Sequence, residues 1–149
     1  MDDRREFPDR PLVGVGGVVI SNGRALLVRR GRPPLQDQWS IPGGLLEVGE
    51  SLREGVRREL LEETAIEVRV LDLVEVFERI GLDGSGKARH HFVVLDYLCE
   101  PLRGEAAAGS DATDVAWAAP EELERYSLGE ATMRVILRAF EMTRQRNHE

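Results

Sequence analysis

Runs of β-forming residues and helical apolar repeats divide the chain into an alternation of elements. Val13 to Ile20 and Ala25 to Arg30 are aliphatic runs that predict two strands. Ser21-Asn22-Gly23-Arg24 between them carries an Asn-Gly pair, whose tolerance of positive φ suits a tight turn, so the two strands should pair antiparallel. The glycines at 14, 16 and 17 lie inside a strand with no helix after them, which favours close backbone packing or a bulge over a dinucleotide fingerprint. Gly31 to Gln38, with Pro33-Pro34, predicts a loop, Trp39 to Ile41 a short strand, and Pro42-Gly43-Gly44 a turn. A helix should start at Ser51, because Ser51 and Glu54 have the spacing of a capping box.

Beyond that helix, Ile66 to Ile80 reads as a strand, Gly81 to Lys87 as a loop and His91 to Cys99 as the returning strand of a long hairpin. Gly104 to Ser110 is a small-residue connection, Thr113 to Ala118 a last strand, and Pro120 to Arg125 a short helical turn. Glu130 to Arg146 is an amphipathic helix in which Met133, Ile136, Leu137 and Phe140 recur at helical spacing, as core packing requires. Mixed strands with two sizeable helices and no repeats predict a single α+β or α/β domain over residues 1–149, with 1–9 and 145–149 flexible.

Composition narrows the functions open to such a domain. A hydrophobic content of 42% with 32% charged residues is that of a soluble globular chain. The net charge of −7 argues against general nucleic-acid binding, though local arginines or metal ions can reverse the field inside one cleft. No apolar run approaches the ~20 residues that span a bilayer, and Met1 to Glu6 lacks a signal-like apolar stretch, so no membrane partner and a cytoplasmic location are expected. Cys99 is the single cysteine, which excludes an internal disulfide and predicts inert packing near the end of a strand.

The chemistry is concentrated in the first helix. Glu59, Glu62 and Glu63 stand at i, i+3 and i+4, so their carboxylates share one patch, and Glu59 and Glu63 border the apolar stripe of Leu52, Val56 and Leu60. Like charges held that close repel unless a cation sits among them, and a hard divalent ion with oxygen ligands is the simplest partner. The alternative is a solvated acidic face with Glu–Arg pairs, centred on Arg53, Glu54, Arg57 and Arg58, which leaves Glu59 and Glu63 unexplained.

The segment Gly44-Leu45-Leu46-Glu47-Val48-Gly49-Glu50, followed after seven residues by Arg58-Glu59-Leu60-Leu61-Glu62-Glu63-Thr64-Ala65-Ile66, resembles the signature of the Nudix hydrolases. That signature is glycine, five residues, glutamate, seven residues, then Arg-Glu-aliphatic-any-Glu-Glu-any-Gly-aliphatic; only Ala65 departs from it. The lead-in Trp39-Ser40-Ile41-Pro42-Gly43 is similar too. The resemblance implies the Nudix fold, a mixed β-sheet sandwiched between α-helices, and hydrolysis of a nucleoside diphosphate linked to another group. It further implies Mg²⁺, with Mn²⁺ as a substitute, held by Glu59, Glu62, Glu63 and the carbonyl of Gly43. Arg58 and Glu50 would orient those carboxylates, and Glu59 or Glu63 would act as base. Outside the motif, Asp111 sits where relatives place an acid on a loop near the metals. Arg30, Arg89 and His90 are candidates for substrate phosphate or base, and at most one of His90 and His91 should face the cleft.

Within the family the chain looks like the ADP-ribose pyrophosphatase-like group, although the proline many of those enzymes carry past the motif is absent between Ile66 and Glu100. The expected substrate is therefore a nucleotide small molecule, ADP-ribose-like by preference. A noncanonical or oxidised nucleoside triphosphate is the alternative, and a non-catalytic nucleotide sensor the reading from another class. A homodimer is expected, with Trp117 or the last helix at its interface unless both serve the monomer core. Ala65 should alter the helix exit or cost about 1 kcal/mol of stability, since glycine takes positive φ cheaply and alanine does not.

Overall fold

The computed structural model describes residues 5–32 and 36–148. Pro33 and Pro34, expected in a loop, lie outside the described residues. The strands are β1 (Leu12–Ser21), β2 (Arg24–Arg30), β3 (Trp39–Ser40), β4 (Gly43–Leu45), β5 (Glu67–Leu82), β6 (Ala88–Arg103) and β7 (Ala112–Ala118). The helices are α1 (Leu52–Thr64) and α2 (Glu130–Asn147), and a 3₁₀ turn covers Pro120–Tyr126.

Among the described residues the strands form one mixed sheet of order β3-β2-β1-β6-β5, with β4 added to β1 and β7 to β2. β1 and β2 are joined by Asn22 and Gly23 at φ 51° and 75°, the left-handed pair that the Asn-Gly turn predicts. β1 runs parallel to β6 from Leu12↔Phe92 to Val19↔Cys99, and β4 pairs antiparallel with it on its other side. β5 and β6 make the long hairpin, 16 residues each.

Alternation along β1 explains the sandwich. Val15 and Val19 face the cluster around Val56 and Leu60 of α1, whereas Val18 and Ile20 face the cluster around Val135, Ile136, Ala139 and Phe140 of α2. Each fully buried aliphatic side chain contributes ~1.5–3 kcal/mol, so two such clusters hold both helices on the sheet. Gly17 lets α1 approach: a Cβ there would stand 2.8 Å from Leu60 Cδ2 and 3.0 Å from Cys99 Sγ. Close packing is thus what the β1 glycines supply.

Several boundaries differ from expectation. Pro42-Gly43-Gly44 is not simply a turn, because Gly43 to Leu45 pairs in register with Gly16 to Gly14; two glycine-bearing strands can lie closer than side chains permit. The loop of the long hairpin is shorter than Gly81 to Lys87, since the ladder continues to Leu82↔Ala88. The apolar doublets of β5 mark register shifts: Val70 packs in the α1 cluster and its neighbour Leu71 in the α2 cluster. Leu137 is exposed, and Val135 and Ala139 take the core positions instead, one helical phase step away. Trp117 packs against the α1 cluster and Cys99 is buried, its thiol pushed up to about 12 by burial. No described helix is long and apolar enough to cross a membrane.

Candidate active site

Helix phase decides which glutamates meet the sheet, and the capping box sets that phase. Ser51 Oγ accepts from the Glu54 N–H at 3.2 Å, and the Ser51 N–H donates to Glu54 Oε2 at 3.1 Å. With the start pinned, Glu59, Glu62 and Glu63 line a cleft of about 260 Å³ together with Gly43 and Gly44.

Glu63 is the most enclosed of the three, 9% exposed, and its Oε2 accepts from the Gly43 N–H at 3.0 Å. Burial, opposed by that hydrogen bond and reinforced by Glu59, pushes its pKa up to about 7. Burial also raises Glu59, against the pull of Arg58. A Cβ at Gly44 would stand 2.5 Å from the Glu59 carboxylate, so glycine there gives Glu59 its place. Glu62 is half exposed and accepts from Arg58 Nη1 at 3.3 Å.

Arg58 is the hub. Its Nε and Nη2 donate to Glu50 Oε2 and Oε1 at 2.6 and 3.0 Å, Nη2 also to Leu45 O at 3.0 Å, and Nη1 to Glu59 Oε1 at 2.9 Å. A planar guanidinium can hold two carboxylates in fixed directions this way, which a lysine cannot. The Arg58 hydrogen bond holds Glu50 below the usual carboxylate range, and Glu50 Oε1 also accepts from the Glu47 N–H.

The donor set suits a hard cation: a half-buried Glu59 raised by burial and by Glu62 and Glu50, and a buried Glu63 raised by burial and by Glu59, with one backbone donor where an ionised carboxylate can accept about four bonds. Among the described residues no three His, Cys, Asp or Glu side chains are gathered tightly enough to enclose an ion by themselves. Backbone oxygen, water or substrate phosphate would therefore share the coordination.

The remaining expected residues divide. Arg30 lines the same cleft, its Nε buried without a hydrogen-bond partner and its pKa lowered by burial. Asp111 also lines it and pairs with Arg32 at 3.0 Å. Arg89 and His90 are not brought to the lining: Arg89 is held by Glu6 at 2.7 Å, and His90 Nδ1 lies 3.2 Å from the Arg5 carbonyl oxygen. Alternation along β6 puts His90 on the face of Phe92, which does line the cleft and stacks with it at 6.2 Å.

Phe77, Arg79, Phe92 and Asp96 are among the lining residues that the motif-based reading did not find. Asp96 had a signal of its own, a lone carboxylate inside the apolar run Phe92 to Cys99. It is 3% exposed, and burial, with Glu75 adding and Arg79 opposing, pushes it up to about 7.

Residues 10–140 match the NUDIX domain profile. A MutT-like protein of Streptomyces ambofaciens is 35% identical over 126 residues, covering 83% of this chain and 75% of the relative. An ADP-ribose pyrophosphatase of Methanocaldococcus jannaschii is 32% identical, covering 70% of this chain and 59% of that relative. Nucleoside triphosphatase NudI of Escherichia coli K12 is 29% identical, covering 66% and 74%. Among solved structures, the MutT NUDIX hydrolase of Burkholderia pseudomallei superposes with a TM-score of 0.75 at 29% identity, over 87% of this chain and 98% of the other. A mixed sheet between two helices, carrying a capped glutamate helix pinned by one arginine, defines a Nudix hydrolase, and the chain belongs to that family. It is a pyrophosphohydrolase, and enzymes of this family act on nucleotides and generally use divalent metal ions.

Proposed function

We propose that the protein is a Mg²⁺-dependent pyrophosphohydrolase that cleaves the diphosphate linkage of a free nucleoside diphosphate derivative, ADP-ribose-like by preference. The observation that carries this reading is the joint presence, in one cleft, of the half-buried Glu59, the buried Glu63 and Arg30 with an unsatisfied buried Nε. Acids in that position suit a cation, and a buried guanidinium edge suits the anionic diphosphate that the cation would accompany.

Glu59, Glu62, Glu63 and the Gly43 carbonyl would hold Mg²⁺, or Mn²⁺ in its stead. When bound, the ion neutralises charge on the diphosphate oxygens as the phosphoanhydride bond breaks. Glu63 or Glu59 would accept the proton of the attacking water. Arg58, locked by Glu50, keeps Glu59 and Glu62 from swinging away, and Arg30 binds a nonbridging phosphate oxygen. Asp111 reaches the same cleft from the loop before β7 and serves there as substrate contact. We assign no contact to Arg89 or His90, which have partners elsewhere. A cytoplasmic homodimer acting on free nucleotides, without nucleic acid or membrane partners, is the form we propose for it.

The name of the ADP-ribose pyrophosphatase relative supports the diphosphate reading. The nucleoside triphosphate alternative draws on the NudI relative and on the missing proline between Ile66 and Glu100. Hydrolysis of a nucleotide panel with Mg²⁺, with Glu63→Gln as control, separates them. AMP plus ribose phosphate marks ADP-ribose cleavage, nucleoside monophosphate plus pyrophosphate marks triphosphate cleavage, and no turnover above the control would identify a binding module.

A further inference from the structure

Asp96 sits on β6 at the position that pairs with Gly16 of β1, while Gly43 of β4 pairs with Gly16 on its other side. At a strand spacing of ~4.8 Å, the Cα atoms of Asp96 and Gly43 are therefore about 10 Å apart, across β1. The charges acting on the Asp96 carboxyl are Glu75 and Arg79 of β5, and the motif glutamates are not among them. Asp96 thus belongs to a different part of the cleft from Glu59 and Glu63.

Its surroundings there are built for a flat, mostly apolar group. Phe77, Phe92, Val94 and Ile41 line the cleft around it, and Gly16 clears the floor, since a Cβ on Gly16 would stand 2.5 Å from Asp96 Oδ1. Asp96 as a residue is 3% exposed, its carboxyl keeps access to the cleft, and among the described residues no hydrogen bond or ion pair is made to it. Buried polar groups nearly always have a partner. A carboxyl that lines the cleft beside aromatic walls, with no partner among the described residues, is free to accept one from a ligand.

We propose that Asp96 is a specificity-determining residue that reads the nucleobase, accepting a hydrogen bond from an exocyclic amine next to a ring nitrogen, the edge that adenine presents. The inference rests on the nucleotide-cleaving reading above and deepens it. A carboxyl accepts from the amine in either protonation state, and its neutral form also donates to the adjacent ring nitrogen. Burial favours that neutral form. Rings stacked at Phe77 or Phe92 would hold the base in plane with the carboxyl.

Calorimetric titration without added metal tests this apart from turnover, using AMP and the monophosphate of purine riboside, which differ only by the exocyclic amine. Wild type should bind AMP roughly tenfold or more tightly than the analogue, as a site built for a donor rejects a ligand lacking it. Asp96→Asn, which keeps an acceptor beside a donor, should retain most of that ratio, and Asp96→Val should bring it to within about twofold. In the wild-type protein the ¹³C resonance of the Asp96 carboxyl should shift with AMP and stay in place with ribose 5-phosphate, a readout independent of any variant's folding. Equal binding of the two nucleotides, no binding of either, a ratio preserved in Asp96→Val, or an unmoved resonance would each overturn the assignment. Such a result would leave hydrolysis by the glutamate helix standing, since the nucleotide panel with Glu63→Gln tests that separately.

Discussion

Arg58 closes on Glu50 through two hydrogen bonds, Nε to Oε2 at 2.6 Å and Nη2 to Oε1 at 3.0 Å, and this leaves Nη1 aimed at Glu59 at 2.9 Å. The bracing runs from the loop before α1 to the helix carboxylates. Arg58→Lys keeps the charge but cannot bridge both partners, so kcat/KM should fall ~10–100-fold, as loss of an orienting contact does at metal sites. Circular dichroism should show the fold intact; unchanged steady-state kinetics would mean the guanidinium fork is ornamental to turnover.

Glu63 combines burial with a position facing Glu59, a costly arrangement in the absence of a cation. Glu63→Gln should reduce kcat by roughly 10²–10⁴-fold, the range for losing a general base, while the thermal midpoint holds or rises. Wild-type activity in the variant would move the base elsewhere.

Metal linkage gives a second view of the same residues. A ligand that binds only the folded state stabilises it by about 2.7 kcal/mol at 100 times its Kd. Thermal melts should therefore rise with added Mg²⁺ and level off at saturation, and Glu59→Gln and Glu63→Gln should abolish the rise. A Mg²⁺ response undiminished in both variants would place the ion at other ligands.

Ala65 holds φ 62° and ψ 14° and its N–H donates to Leu61 O at 3.0 Å, so the helix ends where glycine would end it and the residue absorbs the strain. The exit is not rerouted; the cost falls on stability. Ala65→Gly should add about 1 kcal/mol and raise the melting temperature by ~2–4 °C, with turnover changed less than about twofold. A large gain in turnover would show that the helix exit limits catalysis.

Asp96 has its ordinary value of 3.8 raised to about 7 by burial. An acid raised in the folded state holds its proton more tightly there than when unfolded, so stability is lost as pH climbs from about 4 to about 7. Asp96→Asn should remove that slope, stabilising the protein at pH ~8 by at most about 4 kcal/mol at 1.36 kcal/mol per pH unit, with little effect near pH ~4. Urea unfolding at the two pH values measures it; parallel pH profiles for variant and wild type would mean that folding does not raise the Asp96 carboxyl.

Local signals carried as far as local interactions reach. The Asn22-Gly23 turn, the Ser51–Glu54 cap and the family motif were legible in the sequence because each depends on neighbours within a few residues, and so were Glu50, Arg58 and the three helix glutamates. The strand at Gly43 to Leu45 was not, since its ladder is with β1, nearly thirty residues earlier, by the registers Gly14↔Leu45 to Gly16↔Gly43. Leu137 was misplaced for a related reason: several phases of α2 fit an apolar face, and contact with the sheet selects the one through Val135 and Ala139.

The order of residues along this chain therefore settles its family, its reaction class and the acids that face the cleft, because helix periodicity and turn chemistry act over single turns of backbone. Folding in space settles the rest. It joins Arg30 and Asp96 to that cleft and gives Arg89 to Glu6, because burial and unmet hydrogen bonds arise from strands that meet across the sheet, and spacing along the sequence does not encode that meeting.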